Sequence, residues 1–504
     1  VAGLVVLATA ALLAAPVACS GGSTSAGDAG RRDERTSPRS EPVPTTAERP
    51  TTSPPSPSSD GGSVVVGFDG DSGVGDPYFP DSGNGGHDVL AYDVTMSVEP
   101  AGADRLDAVA VITSRAGTDL RSFTLDLLGF EVTGVVVEGR PARHERAGRE
   151  LRVVPPEPVP AGGTFRTEVR YRGTPVTVGD ASTALDAGGW LDLGAYSVVL
   201  AEPVGAATWL PSNDHPTDPA TLRIAVSVPA GLEAVANGRL LGRVDTPDRS
   251  TFTWAATEPM ATYLMTVAVG DFELWTSEPV TGGPLVIDAV PPALADRGRA
   301  AFARFGEMLA TMSEAFGPYP FDTAGHVVVP GLPRIALETQ TRSIVSAAFL
   351  DTGAEAVVAH ELAHHWFGNR VLPATWRDIW LNEGFATWVE WWWGERTGGA
   401  TVAQRARAAR DGDRSLEVPP ADPGPDRMFG RAVYERGAMF LAELDARLGR
   451  ERFLGLLRAW VREHGGGTAS TSDLLDLAGR VAGVPLDGLA GPWLFEPGPP
   501  PPAG

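Results

Sequence analysis

The 504-residue chain contains no lysine, a single cysteine and only eight histidines. All 41 basic residues are therefore arginines, set against 63 acidic residues for a formal net charge of −22. Such a balance leaves no basic face for phosphates and excludes nucleic acid as a partner. It maintains solubility and favours cationic ligands, peptide N-termini among them. The lone cysteine, Cys19, excludes an intrachain disulfide. No internal repeat is present.

What is present changes along the chain. Residues 1–18 are apolar and uncharged, too long for an ordinary core segment and marginal for a membrane span. Ala18 then precedes Cys19. Residues 1–19 read as an export segment ending in a lipidation site, which would anchor the protein to the outer face of the cell membrane. The plain alternative is a cleaved signal or a single-span anchor. No basic residues open the segment, so the start of translation is expected upstream of Val1. Residues 20–84 are Ser, Thr, Pro, Gly and charged residues with few large apolar side chains. Burial there cannot offset the entropy of ordering, so a flexible tether is expected.

From about residue 85 the composition is globular, with enough chain for two domains. Leu90, Tyr92, Val94, Met96 and Val98 alternate with polar residues, as do Phe165, Thr167, Val169 and Tyr171. These are half-buried strands, and more short strands follow through Phe272. Residues 85–275 are expected to form an all-β domain. The period then changes. Phe302, Phe305, Leu309, Met312 and Phe316 lie on one helical face, and Gly317-Pro318 ends it. Helices are expected at 354–368, 383–397, 431–448, 451–463 and 471–480, the last capped by Ser470 or Thr471. Residues 276–496 form this mainly helical domain, and 497–504 a Gly/Pro tail. The fold class is thus α+β, an all-β domain followed by a helical one.

Three of the eight histidines fall within six residues, in His360-Glu361-Leu362-Ala363-His364-His365. On a helix, His360 and His364 stand one turn apart on one face and can share an ion. Glu361 points off the adjacent edge, within reach of a water on that ion. Eighteen residues separate His364 from Glu383, the length of a helix end, a loop and a returning helix. Glu383 then arrives as a third ligand. Two imidazoles and a carboxylate with an open fourth position suit one zinc ion per chain. Glu390, two helical turns beyond Glu383, can accept the outer N–H of a ligand histidine. His365 points away and reads as structural.

The runs HELAHHWFGN and WLNEGFATWVE resemble the gluzincin aminopeptidases of the aminopeptidase N and leukotriene A-4 hydrolase type. TWLPSNDHP, VANG and PMATYLMTVAVGDF resemble the saddle-like N-terminal β-domain of that family, which precedes a thermolysin-like catalytic domain. The resemblance implies that His360, His364 and Glu383 bind zinc and that Glu361 is the general base. It implies that Tyr434, in VYERGA, stabilises the oxyanion. It also implies that Glu338 binds the substrate's free ammonium, helped by Glu202. Family members carry Gly-x-Met-Glu-Asn around the first of these glutamates; here the run is Ile335-Ala336-Leu337-Glu338-Thr339, with Gly and Asn replaced. Larger members have a further C-terminal helical domain, so a more open cleft, or one closed by an oligomer partner, is expected.

The expected function is zinc-dependent removal of N-terminal residues from peptides or small proteins, with membrane contact only through the N-terminal segment. The alternatives are a zinc hydrolase of another amide or epoxide, an endopeptidase with no need of a free N-terminus, and a catalytically silent peptide-binding module.

Overall fold

The computed structural model describes residues 68–100, 104–179, 187–278, 281–410 and 414–501. The export and lipidation reading at 1–19, with Cys19, lies outside them, as does the tether through residue 67. Among the described residues, no helix is long and apolar enough to cross a membrane.

The first domain is built on an eight-stranded sheet: β1 (His87–Glu99), β2 (Arg105–Ala116), β3 (Glu131–Val137), β4 (Arg140–Pro141), β5 (Thr164–Gly173), β6 (Ala220–Pro229), β7 (Arg239–Asp245) and β8 (Arg249–Met260). Their order is β7-β8-β6-β1-β2-β5-β3-β4, antiparallel except for β6 beside β1. Alternation predicts the inward face well: Tyr92, Val94, Met96 and Val98 are buried, as are Phe165, Thr167, Val169 and Tyr171. A register shift between Val89 and Ala91 turns Val89 inward in place of Leu90, as a bulge does. A five-stranded sheet shares this core, through Trp190, Val198, Val235 and Ala268.

The second domain has a sheet of β9 (Glu273–Ser277), β10 (Leu285–Val290), β11 (His326–Val329), β12 (Ala336–Leu337) and β13 (Ser343–Ser346), in the order β9-β10-β11-β13-β12. Because β9 pairs with β10, the boundary expected between 275 and 276 cuts a strand of the second domain. The helices are α1 (Ala295–Ala301), α2 (Phe305–Phe316), α3 (Ala354–His364), α4 (Trp380–Arg396), α5 (Val402–Arg410), α6 (Gly437–Leu448), α7 (Arg450–His464) and α8 (Thr471–Ala482). A capping box between Ser470 and Asp473 starts α8. The expected helix 354–368 ends at His364, and a turn follows. The segment expected as helix 431–448 opens with a π-helical turn, Ala432–Arg436.

Two segments depart from expectation. Residues 68–84, assigned to the tether, are folded onto both domains. The Asp76 carboxylate accepts bonds from the backbone N–H of Tyr78, Phe79 and Trp376 at 2.8, 3.0 and 2.9 Å, and lies 3.2 Å from His215 Nε2. Tyr78 donates its hydroxyl to Asp422 at 2.6 Å, and Asn84 bonds Asp126 at 2.9 Å. Hydrogen bonds hold this strap, and a reading of apolar content does not count them. The tail also packs: Gly498 donates to the Glu417 carbonyl at 2.8 Å.

Arg436 closes the C-terminal turn. Its buried guanidinium donates to six carbonyls, those of Leu416, Val418, Pro492, Trp493, Glu496 and Gly498. Arg436→Met would fill the space and orphan those acceptors. The urea unfolding transition, followed by tryptophan fluorescence, should show a loss of about 3 kcal/mol or more.

Candidate active site

Helix α3 carries His360 and His364 one turn apart, with ring centroids 4.8 Å from each other. The chain turns back after His364 and begins α4, whose first turn carries Glu383. Glu383 Oε2 stands 3.3 Å from His360 Nε2 and 3.5 Å from His364 Nε2. Donor atoms held about 2.0–2.2 Å from one tetrahedral ion lie roughly 3.3–3.6 Å apart, so this set has the size of a zinc site. All three residues are buried.

The outer nitrogens of both imidazoles face acceptors, which leaves Nε2 of each for a metal. His364 Nδ1 is 3.2 Å from the Phe367 carbonyl. His360 Nδ1 is 3.7 Å from Glu390 Oε2, the partner expected from sequence. His365 turns away, as expected: its Nδ1 meets the Tyr319 hydroxyl at 2.6 Å, and burial pushes its pKa down to about 3.

Glycine sets the two close approaches that the site needs. Gly368, at φ +127°, lies in the turn after α3, where a Cβ would come within 3.1 Å of Asn382 Nδ2 and 3.3 Å of His364 Nδ1. Gly384 of α4 meets Gly437 of α6 backbone to backbone; a Cβ on Gly384 would lie 3.1 Å from Gly437. That contact draws in the π-helical turn before α6, and with it Tyr434. The Tyr434 ring lies 6.0 Å from the His360 ring, tilted by 19°.

Glu202, Glu338, Glu361 and Tyr434 join the three ligand residues around one cleft of about 380 Å³, partly open to solvent. Every site residue expected from sequence lines it except Glu390, which stands behind His360. Oxygens of Glu202, Glu338 and Glu383 lie within 4.8 Å of one another. Burial pushes the Glu361 carboxyl up to about 8 and raises that of Glu338. For His360 burial acts downward, but the bond to Glu383 and the nearby Glu390 carboxylate prevail and hold it up at about 10. Four carboxylates outnumber the two imidazoles, and the group meets its burial by holding protons, which a divalent cation can replace. The donor set thus fits a divalent metal, with room for a second positive group beside it.

The sequence did not single out Phe349, which completes the cleft wall with Ala336 and Leu337 of the run that carries Glu338. Nor did it assign roles to Asn369, whose Nδ2 holds the Glu338 carbonyl at 2.8 Å, or to Tyr263 and Asn382. All three fall inside family-like runs: Asn369 in HELAHHWFGN, Tyr263 in PMATYLMTVAVGDF and Asn382 in WLNEGFATWVE.

Comparison with known proteins agrees in both domains. Residues 301–493 match the model of the peptidase family M1 domain, and residues 91–264 that of the peptidase M1 N-terminal domain. Aminopeptidase M1 of Arabidopsis thaliana is 29% identical over 326 residues, 60% of this chain and 37% of the plant protein. Probable aminopeptidase 1 of Sulfurisphaera tokodaii is 26% identical over 408 residues, 76% of this chain and 50% of the relative. The chain thus spans half the length of these relatives or less. An M1 zinc metallopeptidase from Deinococcus radiodurans superimposes with a TM-score of 0.79 at 31% identity, covering 86% of this chain and 99% of that one. A mutant of that enzyme bound to a Tyr-Ser-Ala substrate gives 0.78 at 30% identity, covering 85% of this chain and 100% of that one. A β-domain and a helical domain that each match, around a His-His-Glu site of zinc dimensions, place this chain in peptidase family M1.

Proposed function

We propose that the protein is a zinc aminopeptidase that removes N-terminal residues from peptides. The observation that carries this reading is the convergence of Glu202 and Glu338 on Glu383, itself one of the three ligands. An anionic cradle beside a metal site fits a substrate whose reactive carbonyl lies one residue from a free ammonium. A related enzyme has been solved with a tripeptide substrate, in keeping with peptides as the substrate class. Export, with a lipid on Cys19, is proposed on the sequence of residues 1–19 alone.

His360, His364 and Glu383 would hold the ion, which when bound supplies Lewis acidity: it acidifies a water and polarises the scissile carbonyl. The remaining work falls to side chains of the chain. Glu361, raised in proton affinity by burial, accepts a proton from the attacking water and returns it to the leaving amine. The Tyr434 hydroxyl donates to the carbonyl oxygen as that oxygen gains charge. Glu338 and Glu202 accept charge-assisted bonds from the ammonium, and holding that end converts binding energy into positioning. Asn369 keeps the Glu338 backbone in place.

Metal analysis of the purified protein should find about one zinc per chain, removed by chelator together with activity. Glu361→Gln deletes the base but no ligand, so the variant should keep its zinc and lose most turnover. A metal-free wild type, or a fully active variant, contradicts the assignment.

Tyr434→Phe removes one hydroxyl from a half-buried ring. Steady-state kinetics should show kcat lower by about 10²–10³ with KM nearly unchanged, because the bond forms only as charge develops. Unaltered kcat would reduce Tyr434 to a packing residue.

Acetylating the substrate's N-terminus should cost at least ~10² in kcat/KM, because it leaves Glu338 and Glu202 facing a neutral amide. Glu338→Ala should impose a comparable loss on free peptides and a much smaller one on acetylated peptides. Equal cleavage of both, or cuts inside longer peptides, would make the protein an endopeptidase.

A further inference from the structure

We infer that Tyr263, a residue of the β-domain, is a positioning residue for the zinc site: its hydroxyl ties the turn after His364 to the start of the helix that carries Glu383. The inference rests on the zinc-site reading above. Tyr263 is 1% exposed and sits in a short helical turn, Thr262–Leu264, between β8 and the next strand. Its hydroxyl donates to the Gly368 carbonyl at 3.1 Å and accepts from Asn382 Nδ2 at 3.3 Å. Gly368 lies between Phe367, whose carbonyl meets His364 Nδ1, and Asn369, whose N–H donates to the His364 carbonyl at 2.9 Å. Asn382 immediately precedes Glu383. One oxygen therefore connects the two segments that must stay in register for three donors to meet on one ion.

The tyrosine is itself fixed from both domains. Thr262 donates its hydroxyl to buried Asp214 at 2.8 Å, and the Leu264 carbonyl accepts from Asn237 Nδ2 at 2.9 Å. Its ring packs edge-on against Trp376, with centroids 5.1 Å apart. The hydroxyl adds a polar tie to segments that already pack together, since Gly368 lies against the Asn382 side chain. Packing alone does not require the hydroxyl, since the ring fills the space without it.

The test is zinc affinity of the full chain, measured by competition with a chelator of known affinity. Tyr263→Phe keeps the ring on Trp376 and should weaken zinc binding at least about tenfold, the scale seen when an outer partner of a metal ligand is removed. Asn382→Ala removes the other end of the link and should weaken it similarly. The double variant should be no worse than the poorer single, because both changes break one connection. Tyr171→Phe serves as the control: its buried hydroxyl donates to the Trp209 carbonyl at 2.8 Å within the β-domain, so affinity should stay at the wild-type value. Wild-type affinity in Tyr263→Phe, an additive double variant, or an equal loss in Tyr171→Phe overturns the inference while leaving the zinc site in place. A wild type that binds no zinc would instead remove the site reading, and this inference with it.

Discussion

Charge that cannot be buried alone governs this molecule. Glu202, Glu338, Glu361 and Glu383 share one partly open cleft with two imidazoles, and among the described residues no arginine lines it. Buried like charges are tolerated only if protons or cations neutralise them, and the raised proton affinities of Glu361 and His360 show protons doing part of this here. A divalent ion between His360, His364 and Glu383 would displace some of those protons, and in the function proposed above a substrate ammonium would meet Glu338 and Glu202. The catalytic features described above are consistent with that imbalance: a base of raised proton affinity, imidazoles held by acceptors behind them, and an anionic cradle one residue away from the ion.

Holding the arrangement requires both domains. Helices α3 and α4 bring the donors, Gly384 and Gly437 let α6 come near enough to present Tyr434, and Asn369 joins the metal turn to the strand end that carries Glu338. The β-domain contributes Glu202 to the cleft and Tyr263 beneath it. Family membership follows from matches in both halves, and the match to the two-domain Deinococcus radiodurans enzyme is nearly end to end.

The parts of this that could be read from sequence share a property: they depend on spacing along one element. His360 and His364 are fixed by helical period, and Glu390 by two further turns from Glu383. The inward faces of β1 and β5 follow from alternation. What escaped depends on contacts between distant segments or on groups that hydropathy does not weigh. Helix α5, AQRARAAR in its body, buries a stripe of small side chains, Val402, Ala406 and Ala409, that hydropathy barely registers among its arginines. The inward turn of Val89 needs a bulge that only pairing reveals. Tyr263 and Asn382 are 119 positions apart and meet through a single oxygen. Residues 68–84 resemble linker by composition because their anchoring is polar, centred on Asp76.

That strap also limits how far the N-terminal end of the chain can be trimmed. An enzyme trimming the N-terminal end could cut anywhere up to residue 67 without touching a bond described above. A cut beyond Asp76 would strip Trp376 of its backbone acceptor and His215 of its carboxylate neighbour, and free the elements on which Tyr263 rests. If the protein is anchored as proposed, release from a membrane and inactivation by over-digestion would thus be separated by fewer than ten residues of chain.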